Sequence, residues 1–381
     1  MKPFLPALLL TLTVVLSAPF VGVIRTWLFE TFPDLALHLL AVALLTWLVA
    51  ALGLAIRRIR RRRALRYAGL VVVVILLVVQ YVGFGDDSIE VKLVEKIHIV
   101  EYGLLAWLLY RPLLRSHRDD RADDLSLFLL PLLGVLIAGT LDEGMQFVVM
   151  TRMGLVQDVV LDLFAGLCGL LFSLCMEPPK RFAFRLGRGR ALVDALAAAV
   201  LVFGVFFSFA HLGHRIDDPE IGSFRSWHTH EELLRAAEER TQRWADKPLR
   251  GVASPWLRED LFVTEAGWHI GHRNRNLQLA EQDQFPKLRH YYWAAQANRI
   301  LERYYQPYLD LPPFPGRGPR RLDPELVREI EASPPPEDLT DGYLSPVFHD
   351  RIYLWPGRSM ALATTVALSL LLALASRLRS H

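Results

Sequence analysis

Glu95, Lys96 and His98, with Tyr102 one turn further on, form a polar run at the edge of an apolar segment. Asp142, Glu143 and Gln146 form a second run, followed by Arg152, Asp158 and Asp162. Charged side chains inside or at the rim of membrane helices are costly and are rarely kept without a partner or a task. His98 and Tyr102, Asp142 and Gln146, and Asp158 and Asp162 are each spaced i, i+4, so each pair shares a helix face. Lys96 and Arg152 suit a polar or anionic head group. A carboxylate beside His98 suits general acid–base work, because such groups near a low-dielectric rim take shifted pKa values. The same side chains also suit a lock between helices, with Lys96 on Asp142 or Glu143 and Arg152 on Asp158, since buried polar contacts help fix packing in lipid. A divalent cation would need several oxygens converging at close range, which spacing does not show.

The elements that must position these residues are membrane helices. The chain has 381 residues, of which 52% are hydrophobic, and a positive mean hydropathy. Apolar stretches of about 18 or more residues read as spans. Residues 4–24, 35–56, 67–84, 97–114, 125–150, 159–176, 191–212 and 360–378 qualify, which predicts eight. Arginine-rich loops follow the second, fourth and sixth spans, at 57–66, 111–121 and 180–190, and Arg377 and Arg379 close the chain. With eight spans every basic loop falls on one face, so both termini are expected in the cytoplasm. Residues 1–19 read as a span rather than a cleaved leader, because the apolar run is too long and Pro19 follows Ser17-Ala18. The arginine run 57–66 reads as topology-setting and as a contact for lipid head groups, not nucleic acid. Cys168 and Cys175 read as small packing residues of the sixth span.

The polar runs carry a resemblance. Glu95-Lys96-x-His98-x3-Tyr102, then Asp142-Glu143-x2-Gln146-x5-Arg152-x5-Asp158-x3-Asp162, resembles the pattern of the VanZ-like family over residues 67–178. Glu95 stands where that family has Asp, and one residue rather than two separates Lys96 from His98. Asp162 stands where Asn is common, and Ala165 and Gly169 where a Gly pair is usual. The resemblance implies a bacterial envelope protein of the cytoplasmic membrane, of a family implicated in low-level glycopeptide resistance. It implies no particular reaction.

The expected fold class is therefore all-α: a polytopic helical membrane protein with a mainly helical extracytoplasmic domain between spans seven and eight. Residues 1–66 form a two-helix hairpin, 67–178 a four-helix VanZ-like domain, 179–212 the seventh helix, 213–355 the outer domain, and 356–381 the last helix with a short basic tail. In the outer domain Thr229-His230-Glu231-Glu232 reads as a capping box opening a helix to about Trp244, with Leu233, Leu234 and Ala237 on its apolar face. A longer helix is expected from Lys287 to about Tyr305, with Leu288, Tyr292, Ala295, Ile300 and Tyr304 at helical spacing. Asp323-Pro324 caps a short third helix. No strand is read there, and without cysteine the domain has no disulfide framework.

Trp227-His228-x-His230 and Trp268-His269-x2-His272, with His290 and His349 elsewhere, could supply zinc ligands. No Cys accompanies them, so no metal and no cofactor is expected. The aromatic and arginine content of 289–308 suits stacking on a sugar or peptide and equally an ordinary packing core. Three functional readings follow. One is a protein that binds a lipid-linked or cell-wall component at the outer leaflet. The second is a membrane enzyme using the Glu/His/Asp cluster on an amphiphile. The third is a non-catalytic assembly factor that docks an envelope protein through residues 213–355. Membrane lipids are the expected partners in all three, and nucleic acid in none.

Overall fold

The computed structural model describes residues 2–83, 89–116, 124–149, 154–179, 190–247, 261–282, 287–311, 320–334, 353–354 and 358–378. Two compact units divide the chain. The first takes residues 1–147, 152–207 and 362–381, and the second 148–151 and 208–361.

The first unit is helical. A 3-10 turn, Lys2–Phe4, leads into α1 (Leu5–Thr31), and α2 (Pro33–Arg58) follows after the single residue Phe32. Then come α3 (Arg63–Gly83), α4 (Ile89–Ser116), α5 (Asp124–Val148), α6 (Val156–Met176) and α7 (Arg190–Ala210). Among the described residues six helices, α1, α2, α3, α5, α6 and α7, are long and apolar enough to cross a membrane. Their outer faces carry Leu8, Leu12, Leu45, Val49, Val71, Val74 and Val78, all exposed. So large an apolar surface suits hydrocarbon as the surrounding solvent. The fourth expected span differs, because α4 carries Glu90, Lys92, Glu95, Lys96, Glu101, Arg111 and Arg115 along its length.

α4 and α6 meet backbone to backbone. Gly103 and Gly169 face each other so closely that a Cβ on Gly169 would collide with the Gly103 main chain. Small residues at such crossings let membrane helices gain van der Waals contact that lipid cannot supply. Tyr102, Leu105, Ala106 and Tyr110 of α4, Leu127, Val135 and Ala138 of α5, and Ala165 and Leu170 of α6 form one buried cluster. The Tyr110 hydroxyl ties α4 to the end of α6 by donating to the Glu177 carbonyl at 2.6 Å. Cys168 is buried, and the Cys175 sulfur packs against Gly69 of α3.

The second unit contains a small three-stranded sheet, against the expectation of no strand there. β1 (Leu212–Asp218) and β2 (Gly222–Ser226) pair antiparallel with His214 opposite Ser226 and Asp218 opposite Gly222. The turn is made by Asp218, whose Oδ1 accepts from the Glu220 and Ile221 amides, and by Gly222 at a φ of 95°. β3 (Tyr353–Leu354) adds in parallel to β1, giving the order β2-β1-β3. The strands escape sequence pattern because β1 reads Leu-Gly-His-Arg-Ile-Asp-Asp, with too few apolar residues to alternate.

α8 (His230–Asp246) starts on the expected capping box, with Thr229 and Glu232 satisfying each other's amides. α9 (Leu261–Ala280), α10 (Lys287–Tyr304), the short α11 (Gln306–Leu309) and α12 (Pro324–Glu331) follow. Asp323 caps α12 through the Glu325 amide at 2.8 Å. Two residues assigned to apolar faces point outward: Leu234 of α8 and Leu288 of α10 are exposed. The core instead gathers Leu233, Phe224, Phe262, Ile300, Tyr304 and Tyr305. Tyr304, Tyr305 and Tyr308 are thus packing residues, not an open stacking surface.

Buried polar groups brace this unit. Glu265 accepts from the Ser226 hydroxyl at 2.7 Å, the Tyr305 hydroxyl at 2.6 Å and the Trp227 amide. Arg273 donates to Asn298 at 2.9 Å and to the Arg320 carbonyl at 2.8 Å. α13 (Arg358–Leu378) returns to the first unit, where the Ser369 hydroxyl donates to the Ala197 carbonyl of α7 at 2.9 Å. Its described apolar stretch, Ser359–Leu374, is shorter than the six long ones.

Candidate functional site

Three helices contribute to the cluster: α4 through His98, Glu101 and Tyr102, α5 through Asp142, Glu143 and Gln146, and α6 through Asp158 and Asp162. The i, i+4 spacing puts His98 and Tyr102 on one face, and their rings stack 6.0 Å apart and 10° from parallel. That face meets two carboxylates. The Tyr102 hydroxyl donates to Asp142 Oδ2 at 3.3 Å, and His98 Nδ1 lies 3.1 Å from Asp162 Oδ1.

On α5 the Gln146 amide donates to Asp142 Oδ2 at 3.1 Å and to Glu143 Oε1 at 2.7 Å. The second Glu143 oxygen accepts from the Leu155 amide at 2.9 Å, which ties α5 to the first turn of α6. Gly139 makes room for Asp162, because a Cβ there would stand 2.7 Å from Oδ2.

Tyr102, Asp142, Glu143, Gln146 and Asp162 are all buried. His98 is partly open, with 27% of its side chain exposed against 1% for Asp162. Asp162 Oδ2 is buried and makes no hydrogen bond among the described residues. Asp158 is half-buried on the same side of α6. Arg152 lies outside the described residues, as do the side chains of Glu95 and Lys96, so the expected ion pairs of Lys96 and Arg152 fall outside as well. The sequence pattern does not point to Gly139, the residue that seats Asp162. Its only signal is a small residue one turn before Glu143 on the same helix.

No protein-family model, no curated protein and no solved structure matches the chain.

The arrangement pairs an imidazole with a buried carboxylate, one oxygen of which has no hydrogen bond among the described residues. It offers hydrogen-bond acceptors to an incoming donor, and a carboxylate-oriented imidazole for moving a proton.

The Trp-His motifs come together elsewhere, in the second unit. Trp227 and Trp268 pack with ring centroids 4.7 Å apart. His269 is buried against Phe224 and Tyr305, while the Asn276 side chain contacts both His272 and His290. His230 is exposed at the start of α8, and His349 lies outside the described residues.

Burial holds the His269 imidazole down to about 3, with repulsion from His272 adding to it. Burial, then Arg275 and His290, lowers His272 to about 4. In the unfolded chain both titrate near 6.5. Between these values only the unfolded state takes up the protons, so stability is full above about pH 6.5 and is lost as pH falls toward 4. The expected slope is about 1.4 kcal/mol per pH unit for fully buried His269 and less for half-buried His272. Tryptophan-fluorescence melts of the full chain from pH 7 to pH 4.5 measure it. His269→Phe should flatten the slope, and an unchanged slope would count against this origin.

Proposed function

We propose that the chain is a VanZ-like integral membrane protein of the bacterial cytoplasmic membrane. It crosses the bilayer eight times, through α1 to α7 and α13, with both termini in the cytoplasm and residues 213–355 outside. The one-sided placement of the basic loops supports this topology. α4 serves as a span despite its charges because His98 and Tyr102 turn inward onto acids of α5 and α6. The cluster binds the polar head of a lipid-linked or cell-wall component at the outer leaflet. A link to glycopeptide-type resistance rests on the resemblance of the two polar runs.

The observation that carries the binding reading is Asp162: a buried carboxylate with one oxygen left without a hydrogen bond among the described residues, beside the partly open His98. A buried polar atom left unsatisfied costs about 1–3 kcal/mol, and a ligand donor would recover it. A second reading, a membrane enzyme acting on an amphiphile, is favoured by the His98–Asp162 contact, which orients the imidazole as a general base requires.

Mass spectrometry of lipids co-purified with the full chain tests the proposal. An envelope lipid should accompany the wild type and fall about tenfold or more in Asp162→Asn and His98→Ala, the loss expected for a charge-assisted hydrogen bond. Melting temperatures in detergent should stay close to wild type. An unchanged lipid profile in both variants would remove the binding reading. Full phenotype in both His98→Ala and Glu143→Gln would remove the catalytic one.

A further inference from the structure

A second feature is an apolar one that runs along α4 from Ile99, the neighbour of His98, to Trp107. Between α2, α3, α4 and α6 there is a cavity of about 290 Å³, lined by Trp47, Ala51, Leu70, Gly103, Trp107 and Phe172 among other apolar residues. That volume sits at the low end of small-molecule sites, about 300–1,000 Å³. Among the described residues no acid or base lines it, so its walls suit hydrocarbon.

One end of the cavity closes on a fixed point. Phe172, Leu70 and Leu54 pack against Ala55, Ile59 and Met176. Ile59 is 1% exposed and pins the connection from α2 to α3. Arg62 turns that connection with a φ of 50°. Arginines are thereby held just beyond the apolar end. The Arg111 guanidinium lies over the ring of Trp107, a lining residue, at 4.9 Å. Arg58, at the last turn of α2, pairs with Glu177 at the end of α6. Arg111 Nε is 3.8 Å from the other Glu177 oxygen, too long for a hydrogen bond, and makes none among the described residues. Arg115 stands one turn beyond Arg111, and Arg66 one turn before Gly69, which touches Cys175 near the end of α6. One carboxylate thus faces at least two guanidinium groups with two more close by.

The geometry points to an anionic phospholipid as the occupant: one acyl chain lies in the cavity and the phosphate sits between Arg58 and Arg111. Arginine forks match phosphate oxygens in two-point hydrogen bonds. The excess of positive charge selects a head group with net negative charge over a zwitterionic one. The arginine end of this site lies about 20 Å from His98 along α4 at 1.5 Å per residue, the apolar cavity extends back to Ile99 beside the cluster, and its test shares no variant with that reading.

The test is native mass spectrometry of the full chain, delipidated in detergent and titrated with phosphatidylglycerol, with phosphatidylcholine of the same chains, and with glycerol 3-phosphate. Phosphatidylglycerol should be retained about tenfold better than phosphatidylcholine. Arg58→Gln, at a side chain 41% exposed, should weaken retention about fivefold, the effect of one surface arginine. Glu177→Gln should strengthen it by a similar factor, because the carboxylate competes with phosphate, and a misfolded variant cannot produce that gain. Ala51→Trp, which fills the cavity away from the arginines, should abolish lipid retention. Equal retention of the two lipids, no gain in Glu177→Gln, or glycerol 3-phosphate binding as tightly as the lipid would each overturn the site; the last would make it a free-phosphate site.

Discussion

Gly169→Leu is expected to separate α4 from α6 and to abolish whatever the polar cluster does. The two helices touch through Gly103 and Gly169, and at Gly169 even a Cβ has no space. A leucine must therefore push the backbones apart. Overpacking of this kind costs about 1–3 kcal/mol and occasionally more, and backbone walls leave no flexible side chain to yield, so the upper end is expected here. The functional effect exceeds the stability effect. His98 reaches Asp162 across that same interface at 3.1 Å, and a shift of an ångström or two breaks the contact. Melting in detergent should fall by about 3 kcal/mol, and the co-purified lipid should be lost even in the fraction that remains folded. Gly169→Ala is the graded companion, with a smaller loss in both readouts. Wild-type lipid content in the leucine variant would mean that the α4–α6 crossing does not position the site.

Glu265→Ala should unfold the second unit well before the first. Glu265 is fully buried and receives the Ser226 hydroxyl, the Tyr305 hydroxyl and the Trp227 amide. It thereby holds the end of β2, the first turns of α9 and the end of α10 to one point. Alanine leaves three donors without an acceptor and a void beside Phe262 and Tyr305. Removing one partner from a buried charged network costs about 3–5 kcal/mol. The chain has no cysteine in this unit to compensate. Glu265→Gln should recover part of the loss, since one amide oxygen still accepts while the NH2 group meets hydroxyls that must turn to receive it. Limited proteolysis should cut within 208–361 in the alanine variant and spare the wild type. A melt within about 1 kcal/mol of wild type would show that the three donors find other partners.

Much of the local architecture is legible in the residues alone, because it depends on neighbours a few positions away. The apolar runs define six long helices among the described residues. Thr229 with Glu232, and Asp323 ahead of Pro324, start helices where capping chemistry requires it. The i, i+4 spacing of His98 with Tyr102 and of Asp142 with Gln146 places each pair on one face, as the helical repeat demands. Other features are set by contacts between distant parts of the chain. Spacing cannot say that His98 meets Asp162 or that Tyr102 meets Asp142, because the first depends on how α4 and α6 rotate about the Gly103–Gly169 contact and the second on how α5 packs against α4. The β1–β2 hairpin forms from a polar stretch without alternation, held by Asp218 and Gly222 at its turn. Leu234 and Leu288 are exposed, while the polar Glu265 and Arg273 are fully buried, since burial follows which faces the other helices cover and not hydropathy by itself. A helix is dictated by residues within a turn of one another, but a site built from three helices is dictated by the few small residues that let those helices touch.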